Sequence, residues 1–139
     1  MSLLNQQIHS RDRIVISLGD PAGIGTEITL KALGSDDLPP KLKPLLIGCK
    51  SNIQKTYSHL KSLGISKIVN IEEIEIIDIP FQGLLEKGKA TEKTGSASFC
   101  YLSHAVNIVL ENQARALVTA PIAKSAWHSA GHCYAGQTE

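Results

Sequence analysis

Short runs of β-branched and aliphatic residues recur along this chain, and stretches long enough for a helix separate most of them. The runs are residues 13–18 (RIVISL), 45–48 (LLIG), 68–71 (IVNI), 75–79 (EIIDI) and 115–118 (RALV). Strands that alternate with helices cannot pair as tight hairpins. They pair in parallel through helical crossovers, which predicts an α/β fold with a mostly parallel sheet flanked by helices.

The intervening segments carry the matching helix signals. Residues 26–33 place Ile28 and Ala32 four apart, with Glu27 in the first turn where the helix dipole favours a negative charge, and Gly34 follows as a stop. Ser51 is an expected N-cap for a helix carrying Ile53, Tyr57 and Leu60, closed by Gly64. Residues 81–94 show no clear period and read as a surface loop. Residues 95–113 read as the longest helix. Phe99, Leu102, Val106, Val109 and Leu110 form its apolar face, and Ala105 and Ile108 widen it enough to suggest burial on two sides. A short helix is expected over residues 122–130. Residues 1–12 read as a flexible leader before the first strand.

With 139 residues, 42% of them apolar and 19% charged, the chain suits one soluble domain with a real core. The net charge of +1 is spread without a basic stripe, which argues against nucleic acid as a partner. No apolar run reaches the roughly 20 residues of a membrane span. Cys49, Cys100 and Cys133 are odd in number and lack paired spacing. Together with a start that lacks a signal-peptide core, they point to a reducing cytoplasm rather than a disulfide framework.

Four motifs carry possible chemistry. The first, GDPAGIG at residues 19–25, joins a strand to a helix, and Asp20, Gly23 and Gly25 make it a candidate ligand loop. It lacks the Lys-Ser/Thr ending of a P-loop, and Ile28 stands where a Rossmann fingerprint needs its third glycine. A tight turn without a ligand is the alternative. The second is Thr119-Ala120-Pro121, which suits a helix start with Pro121 at the first position and Thr119 as a cap or ligand hydroxyl. Lys124 follows as a candidate phosphate contact or as a solvated lysine.

The third motif is His128-x-x-x-His132, a spacing that can bind metal on a helix, but Gly131 breaks the shared face. No carboxylate or third histidine stands at a recognisable spacing to complete a site, and His104 shows no partner pattern. The fourth is Gly136-Gln137-Thr138-Glu139, a polar cluster suited to hydroxyls or a carboxylate, or simply a polar terminus.

Taken together, three blocks are more specific than any one motif. ISLGDPAGIGTEITLKAL, GKATEKTGSASFCYLSHAV and LVTAPIAKSAWHSAGHCYAGQTE occur in that order, and the chain from about residue 13 to 139 resembles the N-terminal portion of the 4-hydroxythreonine-4-phosphate dehydrogenase family. The resemblance implies a fold like that of isocitrate and isopropylmalate dehydrogenases, which bind a dinucleotide without a Rossmann fingerprint. It implies NAD(P)-dependent oxidation of 4-phosphooxy-L-threonine, whose β-keto acid product loses carbon dioxide on the way to pyridoxal phosphate. It also implies a homodimer with its site between domains and subunits.

The family's substrate-contacting His-Thr pair falls on Gln137 and Thr138. Thr138 matches, whereas Gln137 replaces a histidine with a side chain that cannot carry charge. Thr26 stands where the loop usually has proline. The resemblance places the divalent metal (zinc, magnesium or cobalt) on three histidines beyond residue 139, so the 139 residues alone are expected to be inactive. A paralogous dehydrogenase of phosphorylated threonate or erythronate, and a non-catalytic binding or assembly fragment, are the other readings.

Overall fold

A computed structural model describes residues 12–139; the expected leader lies almost entirely outside the described residues. Four strands form one sheet in the order β3-β2-β1-β4: β1 (Arg13–Ser17), β2 (Lys43–Gly48), β3 (Glu75–Asp78) and β4 (Ala116–Thr119). All three pairings are parallel, as the alternation of strand and helix signals predicts. Val15 of β1 pairs with Leu45 and Leu117, and Ser17 with Ile47 and Thr119.

The two-residue period of the strands sorts the core into two layers. Val15, Leu45 and Ile47 face one side, where α3 (Glu92–Leu110) lays down Tyr101, Ala105 and Ile108. Ile16, Leu18 and Leu46 face the other, against Leu30 of α1 (Gly25–Leu33) and Ile53 and Leu60 of α2 (Lys50–Ser62). Because β1 and β2 are covered on both faces, they read as unbroken apolar runs rather than as alternating ones. Among the described residues no helix is long and apolar enough to cross a membrane.

Five expectations require correction. Residues 68–71 are not a strand. The Val69 amide donates to Leu30 O, and Asn70 then caps a 3-10 turn (Ile71–Glu73) by accepting from the Glu72 amide at 3.2 Å. This segment closes over the end of α1, where a Cβ on Gly34 would lie 2.6 Å from the Ile68 Cα. Ser51 does not cap α2. Its N-cap is Cys49, and the carboxylate of Asp78, at the end of β3, accepts from the Lys50 amide at 2.8 Å.

The third correction concerns α3, which begins at Glu92 inside the expected loop and ends at Leu110. Its start is a capping box in which the Thr91 and Thr94 side chains each accept from the other's amide. Its apolar stripe is also rotated. Gly95, Ser98, Tyr101, Leu102, Ala105 and Ile108 are buried, whereas Val106 is 37% and Leu110 73% exposed. Small residues win the buried face because they admit close neighbours. A Cβ on Gly95 would sit 2.1 Å from Ala126 O of α4 (Lys124–Ser129).

The fourth correction is the start of α4 at Lys124, with Ala123 as N-cap, so Pro121 belongs to the preceding turn rather than to the first helical position. The fifth follows from it: Thr119 is the last residue of β4 and not a helix cap.

Candidate active site

In a parallel α/β sheet the ligand crevice lies beyond the carboxyl ends of the strands, where successive crossovers go to opposite faces. Here that place is between β1 and β4. The chain leaves β1 through GDPAGIG and leaves β4 through Thr119-Ala120-Pro121.

The two turns are joined by backbone. The Ala120 amide donates to Ser17 O at 2.9 Å, and the Asp20 amide to Pro121 O at 3.0 Å. Gly19 holds φ at +70°, and a Cβ there would lie 2.1 Å from Pro121 O, so both the dihedral and the approach require glycine. The crevice at the switch point is therefore closed at its base, and open space lies to either side of the joined turns.

Asp20 is 4% exposed, and its carboxylate is engaged inside the fold. One oxygen accepts from the Ala22 amide at 2.8 Å and the other from the Thr94 hydroxyl at 3.0 Å. That second bond ties the glycine-rich turn to the first turn of α3. Gly25 starts α1 pressed on the end of β1, where a Cβ would be 2.2 Å from Leu18 O. Gly23 is the candidate loop glycine at a cavity wall, and a Cβ there would lie 3.3 Å from Asp20 O. With Asp20, Pro121, Ile122 and Ala123 it lines a groove of about 270 Å³. Lys124 is exposed at the start of α4, and this groove does not include it.

On the other side of the joined turns, Gln137 and Thr138 share a second cavity of about 410 Å³ with Phe99, Trp127, Ser103 and Asn107. The Gln137 amide reaches Ala120 O at 3.5 Å, so the polar cluster leans on the turn after β4. Behind it stands a rigid wall. Trp127 is buried, and its indole N–H donates to Ser98 Oγ at 2.8 Å while that hydroxyl donates to Gly95 O at 2.9 Å. Phe99 meets the Trp127 ring edge-on at 5.3 Å and lies flat against the His132 ring.

The structure thus brings Gln137 together with Thr138, and Asp20 with Gly23, the two pairs linked through the Ala120-Pro121 turn. Thr94, Ser98 and Trp127 escaped sequence reasoning. The available signal was the Thr-x-x-Thr spacing of TEKT, which resembles a capping box with threonine in the place of the usual Glu or Gln.

Other chemistry-bearing side chains are occupied structurally. His104 Nδ1 meets the Cys100 carbonyl, and His128 Nε2 meets the Tyr134 carbonyl. Among the described residues no group of three or more His, Cys, Asp or Glu side chains is placed to hold a metal ion. Burial alone would raise the Cys49 thiol. Hydrogen bonds from the Ser51 hydroxyl and from the amides of Asn52, Phe81 and Ser51 outweigh it and hold the thiol below its usual range.

Comparison with known proteins finds relatives in sequence and in fold. The family model described as "Pyridoxal phosphate biosynthetic protein PdxA" matches residues 40–139. A 4-hydroxythreonine-4-phosphate dehydrogenase of Synechococcus sp. (strain RCC307) is 46% identical over 127 residues, covering 91% of this chain and 38% of that protein. A D-threonate 4-phosphate dehydrogenase of Salmonella typhimurium is 35% identical over 142 residues, covering 91% of this chain and 42% of that protein. The crystal structure of a 4-hydroxythreonine-4-phosphate dehydrogenase from Burkholderia phymatum superposes with a TM-score of 0.80 at 27% identity, over 92% of this chain and 42% of that one. The chain therefore spans about two fifths of the length of these relatives. A match over that many of its residues, on a sheet that superposes with a solved relative, means that the chain belongs to the PdxA family of pyridoxal phosphate biosynthetic proteins.

Proposed function

We propose that residues 13–139 form the N-terminal part of a two-domain, NAD- or NADP-dependent dehydrogenase that oxidises 4-phosphooxy-L-threonine. The product, 2-amino-3-oxo-4-phosphooxybutanoate, then loses carbon dioxide to give 3-amino-2-oxopropyl phosphate. The reading rests on one observation above all. Gln137 and Thr138, at the positions of the family's substrate-contacting pair, share one cavity against the Trp127 wall.

In this reading the Gln137 amide and the Thr138 hydroxyl hold polar groups of the substrate, and the aromatic wall fixes their orientation. Gln137 can donate and accept a hydrogen bond but cannot move a proton near neutral pH, so its role is binding. Among the described residues no metal-binding set is present. Asp20 and Gly25 serve the loop's own architecture as well: each carboxylate oxygen of Asp20 accepts one internal hydrogen bond, and Gly25 packs against Leu18 O. Gly23 remains as the glycine by which a ligand can approach the loop backbone. By the same reading the complete enzyme is a cytoplasmic homodimer, and residues 13–139 alone do not turn over substrate.

A second reading is favoured by Gln137 itself. A neutral amide in place of a histidine suits a substrate that differs in the polar groups around its hydroxyl, and the Salmonella relative is named for D-threonate 4-phosphate. The complete gene product is to be assayed for NADH and NADPH formation with 4-phosphooxy-L-threonine and with phosphorylated D-threonate, across a panel of divalent ions. Preferential turnover of the amino acid supports the first reading, and preferential turnover of the threonate supports the second. Reduction of neither dinucleotide with either substrate overturns both.

A further inference from the structure

Away from the Gln137 cavity, Lys55 and His59 of α2 and Lys87 of the loop before α3 converge on a third cavity of about 630 Å³. Its far wall is the turn entering α1, whose N-cap, Ile24, supplies no side-chain acceptor to the first helical amides. Three cationic or protonatable groups on one concave surface need an answer, because exposed lysines ordinarily point apart into water.

The usual answer, a carboxylate, is largely missing. Glu27 is the single acidic residue of the lining, and Lys31 already holds it at 2.6 Å. That hydrogen bond first, and then the charges of Lys31, Lys87 and His59, outweigh burial and keep the Glu27 carboxyl below its usual range. Lys55, His59 and Lys87 have no ion-pair partner among the described residues.

The floor carries an independent sign. Asn52 and Thr56 line it and are 6% and 5% exposed. Asn52 uses its amide N–H on Pro21 O at 3.3 Å, whereas the buried Thr56 hydroxyl has no hydrogen-bond partner. Buried hydroxyls are ordinarily paired, and one left open beside a cationic cavity and a helix N-terminus is placed to serve a ligand.

We propose that this cavity is a phosphate-binding site, with Lys55 and Lys87 as its charged arms and Thr56 in its floor. Its ligand is a phosphate monoester or inorganic phosphate. None of these residues belongs to the Gln137 cavity, and the turn at Gly23 borders both this cavity and the smaller groove beside Pro121.

The test is calorimetric titration of the complete gene product with inorganic phosphate, beside the Lys55→Ala/Lys87→Ala variant and a Lys41→Ala/Lys61→Ala variant of equal charge. All four lysines are exposed, and thermal melts check that each variant folds. The expected result is saturable binding that weakens about tenfold or more in the first variant and is unchanged in the second. Binding that is not saturable, is unaffected by the first pair, or falls equally with both pairs overturns the proposal. Parallel titrations with NADPH and NADH identify the source of the phosphate. Weakening of inorganic phosphate together with NADPH, with NADH unchanged, assigns the site to the 2′-phosphate of the dinucleotide. Weakening of inorganic phosphate with neither dinucleotide affected assigns it to a free phosphorylated metabolite.

Discussion

The hydroxyl of Thr94 donates to Asp20 Oδ2 at 3.0 Å across 74 positions of sequence. This buried bond fastens the glycine-rich turn after β1 to the first turn of α3. Its acceptor is a carboxylate, and hydrogen bonds to charged groups contribute roughly 1.5–3 kcal/mol. The Thr94 side chain also accepts from the Thr91 amide, so one residue serves both the cap and the turn. Thr94→Val is therefore expected to destabilise by about 2–3 kcal/mol, with Thr94→Ser recovering most of the loss. Urea unfolding checks both. A Thr94→Val midpoint equal to that of the parent would mean that the bond carries no net stability.

Ser98 stands between two partners, accepting from the Trp127 indole and donating to Gly95 O. Ser98→Ala leaves the buried indole N–H without an acceptor, at a cost of about 1–3 kcal/mol. The wall of the Gln137 cavity should loosen at the same time, so KM for the phosphorylated substrate should rise more than kcat falls. Gly95→Ala is a harsher test of the same contact, because its added methyl would sit 2.1 Å from Ala126 O. Trp127 fluorescence reports the change. An unshifted emission maximum in both variants would contradict the packing of Trp127 against Ser98 and of Gly95 against Ala126.

Tyr101 is 1% exposed in the core against Val15 and Leu45, and its hydroxyl has no hydrogen-bond partner. Burial first, and then nearby Cys49, Cys100 and the Asp78 and Asp20 carboxylates, push its ionisation well above the usual phenol range. The stability that this protects is fully present below the unfolded value near pH 10 and is lost as pH rises toward the folded value. Tyr101→Phe should thus be neutral or mildly stabilising at pH 7, since no bond is broken. It should also lose less stability than the parent between about pH 10 and 11. Thermal melts at the two pH values check this, and identical alkaline losses would rule out Tyr101 as their source.

What the sequence made legible follows from range. β1, β2 and β4 announce themselves by aliphatic runs ending at glycine or a Thr-Ala-Pro turn, and α1 and α2 by periodicity that stops at Gly34 and Gly64. These are local signals and they survive folding. Residues 68–71 carry the same aliphatic signal, but it is spent on packing beneath α1, and Asn70 turns the chain before a strand can form.

The start of α3 was hidden because its capping box uses threonine at both positions and because its partner Asp20 is distant in sequence. The site divides in the same way. Gln137 and Thr138 were visible as a motif. Their lean on Ala120 and the Trp127-Ser98 wall behind them depend on tertiary neighbours that no spacing encodes.

Gln137 offers the sharpest functional test. Its amide approaches Ala120 O at 3.5 Å, the long end of a hydrogen bond, so removing it should cost little stability while opening the cavity it shares with Thr138. Gln137→Ala is expected to raise KM about tenfold with kcat less affected, the pattern of lost uniform binding. Gln137→His introduces an imidazole that titrates near pH 6.5. If the side chain at this position touches the phosphorylated substrate, kcat/KM in the histidine variant should bend between about pH 6 and 7, whereas the glutamine parent adds no such bend. Below that pH the charged imidazole attracts the substrate's anionic groups, so the variant should gain relative to the parent as pH falls. Superimposable pH profiles for parent and variant, with an unchanged KM for Gln137→Ala, would place position 137 outside the substrate's reach.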